Sequence, residues 1–274
     1  MQYLHFRRIY LGLLAALIAT GNVASAHGES GPPAKQAQHF ELPKKLREAS
    51  GLALSQEGHL FTHNDEKGII YRFDPKTGKV KKVLKIGSPA LRDDFEAIAI
   101  INHDFYLTTS KGALHWITDG LNYDNEIATS VILKTGLAEV CEVEGLSSFA
   151  EQLYFGCKTN YQQSDHQYII VFRFNPKTST LIKYLTMSLA DLRLEKFQTS
   201  GIEVTESKIY LTSAGERRIL IVDHKGKLLS QHRPAKRQHR KMEGIAVSAS
   251  GRIYLAGEGK KRGQLSIYNS IEDI

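Results

Sequence analysis

The chain has 274 residues, 42% of them apolar, and a formal net charge of +7. That length suits one large β domain or two small ones. The basic excess, part of it from Arg7 and Arg8, permits contact with anionic lipid or phosphate without requiring it. No RNP, zinc-finger or helix-turn-helix pattern accompanies the charge, which sets nucleic-acid binding aside.

Taken in chain order, the first segment is a leader. Arg7 and Arg8 precede an apolar stretch from Ile9 to Ile18, and Ala24-Ser25-Ala26 supplies the small residues of a cleavage site. Residues 1–26 therefore read as a signal peptide, with an uncleaved N-terminal anchor as the alternative. Either assignment puts the remainder outside the cytoplasm. Residues 27–37 are polar and rich in Gly and Pro, as a flexible lead-in would be. Residues 38–274 read as one domain.

Five segments of that domain share a pattern of one polar residue, one small residue and then alternating apolar positions. They begin at Ser50, Glu96, Glu144, Ser200 and Glu243, at spacings of 46, 48, 56 and 43 residues. Such a period, roughly 40–50 residues, suits a four-stranded propeller blade. Each segment leads into an aromatic and β-branched second strand, such as Phe105-Tyr106-Leu107-Thr108 or Ile209-Tyr210-Leu211-Thr212. Third strands follow at Ile69–Phe73, Leu114–Ile117, Tyr168–Phe174, Ile219–Val222 and Leu265–Tyr268. Turns such as Asp74-Pro75-Lys76-Thr77-Gly78 and His224-Lys225-Gly226 then lead to outer strands at 80–86, 131–134, 180–187 and 227–231. The fifth repeat runs out of chain after its third strand, so Gln38–Leu42 is expected to supply its outer strand and close the ring. The fold class is all-β, a five-bladed β-propeller of antiparallel four-stranded blades, with six blades as the alternative. Leu189–Gln198 carries Leu, Glu and Lys at helical spacing and predicts a short helix. The basic run Arg233–Lys241 reads as a solvated loop.

Cys141 and Cys157 are the two cysteines. In an oxidising compartment such a pair suggests a disulfide, and both flank a hairpin expected to turn near Ala150-Glu151. A pair of buried thiols is the alternative.

Arg47-Glu48-Ala49-Ser50-Gly51-Leu52, Thr62-His63-Asn64-Asp65-Glu66, Phe95-Glu96-Ala97-Ile98-Ala99, Glu144-Gly145-Leu146 and Met242-Glu243-Gly244-Ile245-Ala246 together resemble the SdiA-regulated family, also called the YjiK/CarP family. The resemblance runs from about Phe40 to Tyr268. It implies an extracytoplasmic propeller of a Gram-negative bacterium, periplasmic or held at the periplasmic face of the inner membrane through its N-terminal segment. It also implies a link to calcium binding or calcium homeostasis, with phytase-like or esterase-like hydrolysis as the suggested activity. Here Ala97 replaces the glycine of the other repeats, and serine replaces glutamate at positions 50 and 200.

In a propeller the innermost strands line the channel, so Ser50, Glu96, Glu144, Ser200 and Glu243 are expected to form a ring. Carboxylates converging in a poorly screened channel repel one another. Raised pKa values or a bound cation would relieve that repulsion, and calcium suits an all-oxygen donor set. Glu96, Glu144 and Glu243 are therefore the candidate metal ligands, with Asn64 and Asp65 near the channel mouth and Glu216 and Glu258 at comparable positions. The structural alternative is that these polar groups bind the backbone of the next blade. No G-x-S-x-G elbow or acid–base pair marks a catalytic site. The leading expectation is a non-catalytic calcium-binding propeller, and the second is a calcium-dependent hydrolase of phosphate or carboxylic esters. A divalent cation is the expected partner, with a small anionic ligand or a protein at a propeller face as further candidates.

Overall fold

A computed structural model describes residues 37–274 other than 237 and 238. The expected leader, 1–26, and the lead-in as far as residue 36 lie outside the described residues. The described chain begins with β1 (Ala37–Glu41). Blade 1 contains β2 (Ala49–Leu54), β3 (Leu60–Asn64), β4 (Lys67–Phe73) and β5 (Val80–Ile86). Blade 2 contains β6 (Phe95–Ile101), β7 (Asp104–Thr109), β8 (Ala113–Ile117) and, beyond β9 (Glu126–Ala128), β10 (Val131–Lys134). Blade 3 is β11 (Cys141–Phe149), β12 (Gln152–Asn160), β13 (Tyr168–Asn175) and β14 (Thr180–Ser188). Blade 4 is β15 (Gly201–Val204), β16 (Ile209–Ser213), β17 (Arg218–Val222) and β18 (Leu228–His232). Blade 5 is β19 (Lys241–Val247), β20 (Ile253–Glu258) and β21 (Gln264–Tyr268), completed by β1.

The protein is thus a five-bladed β-propeller of antiparallel four-stranded sheets. Side-chain pattern follows position along each blade. Second strands are covered on both faces by neighbouring blades, and Ile209–Ser213 is buried throughout. Outer strands meet water, and Leu228–His232 alternates between half-buried and exposed. Five apolar clusters fill the five junctions, each drawing on two adjacent blades. At the junction of blades 1 and 2, Phe61 meets Phe105 edge-on with ring centroids 5.0 Å apart.

Closure occurs as expected, one residue earlier than read. β1 pairs antiparallel with β21, Phe40 opposite Leu265, and joins the two ends of the domain in one blade. The Phe40 ring packs edge-on against Phe73 of blade 1, with centroids 5.1 Å apart.

Two features differ from the sequence reading. The Leu189–Gln198 helix does not form: turns replace it, with Arg193 in the left-handed region at φ 55°. Leu192, Leu194 and Phe197 all enter the core between blades 3 and 4, and one helix face could not bury all three at that spacing. The second feature is β9, three residues that cross from blade 2 to pair in parallel with β5 of blade 1.

Candidate cation site at the axial mouth

In four of the five blades the start of the inner strand carries the ring residue on a β-bulge, and in blade 4 Ser200 immediately precedes the strand. In blade 2, Phe95 pairs with Thr109 and Ala97 with Thr108, leaving Glu96 without a partner. Ser50, Glu144 and Glu243 are passed over in the same way. In blade 4, Gly201 pairs with Thr212 while the Ser200 N–H also donates to the Thr212 carbonyl at 2.8 Å. A bulge takes one residue out of the ladder and re-aims its side chain. The small residue that follows lets inner strands approach across the axis. A Cβ on Gly244 would come within 2.9 Å of the Gly51 carbonyl carbon and the Leu52 nitrogen. The axial space bordered by Ala97, Gly145, Gly201 and Gly244 is accordingly narrow, with room for about one water molecule.

Glu96, Glu144 and Glu243 come together at the mouth of this space. Burial pushes the Glu96 carboxyl up to about 8, with the Glu144 carboxylate adding to the effect. Glu243 is likewise pushed up to about 8 by burial and then by Glu144. Glu144 is also raised by burial, against the pull of Lys158. Lys158 donates to Glu142 at 3.1 Å and to Glu144, whose side chain is only 14% exposed. These partners hold the ammonium above its ordinary pKa despite its own desolvation.

Asp65 belongs to the same mouth. Burial raises its pKa, Glu48 adds to the rise, its charge is felt at Glu243, and its buried Oδ1 has no hydrogen-bond partner. Glu258 is also near, raising Glu243 while pairing with Lys241. Asn64 sits in the strand pairing opposite Ala49 and Lys67, and its carbonyl oxygen accepts from the His63 ring at 2.9 Å. Among the described residues, no hydrogen bond joins the Asn64 amide to the glutamates. Glu216 is engaged locally, accepting from the Ser213 hydroxyl and from the Gln198 N–H at 3.4 Å. The two ring serines serve the backbone: Ser200 donates to the Met242 carbonyl of the next blade, and Ser50 to the Glu48 carbonyl at 3.3 Å.

Cys141 and Cys157 are joined as a disulfide between β11 and β12, with Cα atoms 5.8 Å apart. The hairpin linking these strands turns through Ala150 and Glu151, both at positive φ.

The donors at the mouth are oxygens, as a hard cation requires, and the unpartnered Asp65 Oδ1 is a further one. Among the described residues, however, no group of three or more His, Cys, Asp or Glu is already drawn together tightly enough to hold an ion. The Lys158 ammonium instead supplies positive charge to Glu144.

Several participants were missed in the sequence. Glu48, Asp94 and Lys158 reach the mouth from different blades or blade connections. The Glu142-Val143-Glu144 spacing, with Lys158 on the paired strand, was the available signal. Glu203 lies farther along an inner strand and is pushed up to about 8 by desolvation. It accepts from Ser147 Oγ of blade 3 at 3.0 Å and from the Val247 N–H of blade 5, so one side chain links three blades.

No family model matches the sequence, and no curated protein matches it. Solved structures do. The glutaminyl cyclase of Myxococcus xanthus is similar at 16% identity and a TM-score of 0.58, over 86% of this chain and 97% of that one. A luciferin-regenerating enzyme is similar at 7% identity and 0.55, over 85% and 95%. A streptogramin B lyase is similar at 11% identity and 0.51, over 84% and 97%. At these identities the likeness is one of fold, and it agrees with the propeller read from the repeats.

Proposed function

We propose that this propeller acts outside the cytoplasm as a calcium-binding protein, with the cation taken at the axial mouth. The carrying observation is the convergence of Glu96, Glu144 and Glu243 from three blades on one desolvated spot. Three carboxylates confined there cannot all ionise without a counter-charge. A divalent ion of oxygen preference supplies two charges at once, and Asp65 adds a fourth carboxylate. Lys158 would have to release Glu144, which makes the ammonium a built-in competitor for the ion. The family resemblance supports calcium as the ion and calcium homeostasis as the setting. The disulfide supports an oxidising compartment.

Calorimetric titration of the purified protein with calcium chloride tests the proposal. Saturable heat that disappears in Glu144→Gln and Glu243→Gln is expected. No heat and no thermal shift from calcium would overturn it.

Ester hydrolysis is a second reading, favoured by one observation. Glu96 and Glu243 are pushed up to about 8 beside Glu144, which alone of the three accepts a hydrogen bond from the Lys158 ammonium. Adjacent carboxyl groups in unlike environments are the arrangement that general acid–base chemistry uses. Phosphomonoester, phytate and lactone substrates, assayed with and without chelator, test it. Flat rates throughout dispose of those activities.

A further inference from the structure

On the face opposite the acidic mouth, blades 1 and 2 enclose a cleft of about 400 Å³ that the ring itself does not require. One wall comes from the connection between β8 and β10. It runs to thirteen residues, whereas the corresponding links have six in blade 1, four in blade 3 and five in blade 4. The extra length is fixed at both ends. Near its start, the Asp119 N–H donates to Asp104 at 2.7 Å, and the Leu121 N–H to the His103 carbonyl at 3.0 Å. Gly120 then crosses the Phe105 ring so closely that a Cβ would stand 2.3 Å from it. Farther on, Lys81 binds Asp124 at 2.7 Å, and β9 docks on β5. A segment this firmly held over a neighbouring blade is a wall rather than a loose loop.

The other wall is the blade 1 face, where Phe61, Arg72 and Lys81 lie in one cross-strand row. Arg72 is half-buried and, among the described residues, its guanidinium has neither an ion pair nor a hydrogen bond. The corresponding arginine of blade 3, Arg173, is instead covered by the Tyr184 ring at 5.3 Å. A half-buried guanidinium with unused donors, set beside Phe61, Leu121 and Tyr123, has the chemistry of a carboxylate receptor. The charge balance narrows the ligand. Lys81 is neutralised by Asp124, and Glu57 stands at the rim, so Arg72 is the fixed positive charge left without a pair. Those carboxylates disfavour a dianion such as phosphate and leave room for one negative charge on an apolar body.

We propose that this cleft binds a small monocarboxylate with an aromatic or aliphatic body, its carboxylate held by Arg72 and its body against Phe61 and Tyr123. The site is independent of the cation at the mouth.

Amide chemical-shift mapping on the purified protein tests this with three probes: phenylacetate, its neutral amide and inorganic phosphate. Phenylacetate is expected to give saturable shifts confined to residues around 59–61, 72 and 121–124. The neutral amide and phosphate are expected to give none there. Arg72→Gln should weaken the phenylacetate response roughly tenfold or more, as loss of charged hydrogen bonds predicts. Arg72→Lys keeps the charge without the fork and should fall between. Tyr123→Ala, which leaves Arg72 in place, provides a second measure should Arg72→Gln fold poorly, and it too should weaken binding. Three results would overturn the proposal: no saturable response to phenylacetate, equal binding of the neutral amide or phosphate, or wild-type affinity in both Arg72→Gln and Tyr123→Ala.

Discussion

Glu203 holds a proton in the folded protein that the unfolded chain gives up above pH 4.5, because its folded value is about 8. Between those limits the folded state binds more protons, so stability falls as pH rises through the window and levels off beyond it. Glutamine resembles the protonated acid and can still accept from Ser147. Glu203→Gln is therefore expected to unfold at a temperature close to wild type near pH 4.5 and several degrees above it at pH 8. Parallel thermal profiles at the two pH values would show that Glu203 is not the desolvated group described. Lys158→Met carries the opposite sign. Without the ammonium, Glu144 keeps its desolvation and loses its counter-charge, so its folded pKa rises further. The variant should match wild type most closely near pH 4.5 and lose stability as pH climbs toward 8. The same variant should bind calcium more tightly in the calorimeter, since the internal competitor is gone. Weaker calcium binding would identify Lys158 as a support of the site instead.

At the scale of elements, legibility depended on repetition. Inner and second strands were readable because five copies carry the same alternation and aromatic content, a signal no single segment could give. The bulges were not readable, because an unpaired residue such as Glu96 alters pairing without altering composition. β9 was missed because Glu126-Ile127-Ala128 is short, and Glu126 and Ile127 are exposed, so no burial pattern marks it. Leu189–Gln198 misled for the opposite reason: its apolar spacing mimicked a helix, while the core between blades 3 and 4 took Leu192, Leu194 and Phe197 from an irregular path. The glutamate ring was half legible. The repeat aligned Glu96, Glu144 and Glu243, but it gave no sign of Lys158, which reaches Glu144 from the paired strand of its own blade, or of Asp94, whose charge acts on Glu144 across two blades. The disulfide was legible as a pair flanking one hairpin. It closes a loop with a sequence separation of 16, for which chain entropy suggests about 3 kcal/mol. Denaturant unfolding of the Cys141→Ser/Cys157→Ser variant should show a loss of that order, with thermal stability reduced accordingly. An unchanged midpoint would mean the hairpin needs no covalent tie.

At the scale of the whole molecule, ring closure depends on five residues remote in sequence from their partners. β1 supplies the outer strand of blade 5 and also places Phe40 against Phe73 of blade 1, so it acts on the sheet and on the adjoining core. Phe40 is partly buried, so Phe40→Ala should cost about 2 kcal/mol, less than the roughly 3–5 kcal/mol of a fully buried phenylalanine such as Phe105. Removing the strand has a different consequence. A chain beginning at residue 42 leaves the N–H and C=O groups of β21 unpaired along Gln264–Tyr268, and an open strand edge recruits other strands. Such a chain should self-associate in light scattering and unfold at lower temperature, whereas Phe40→Ala should stay monomeric with only the lower midpoint. Adding a synthetic peptide spanning residues 36–42 should restore both the monomer and part of the lost stability, because the groove that β1 occupies is formed by the rest of the blade. A truncated chain that remained monomeric at the wild-type midpoint would show that blade 5 is complete with three strands, and that the two ends of the domain do not lock the propeller.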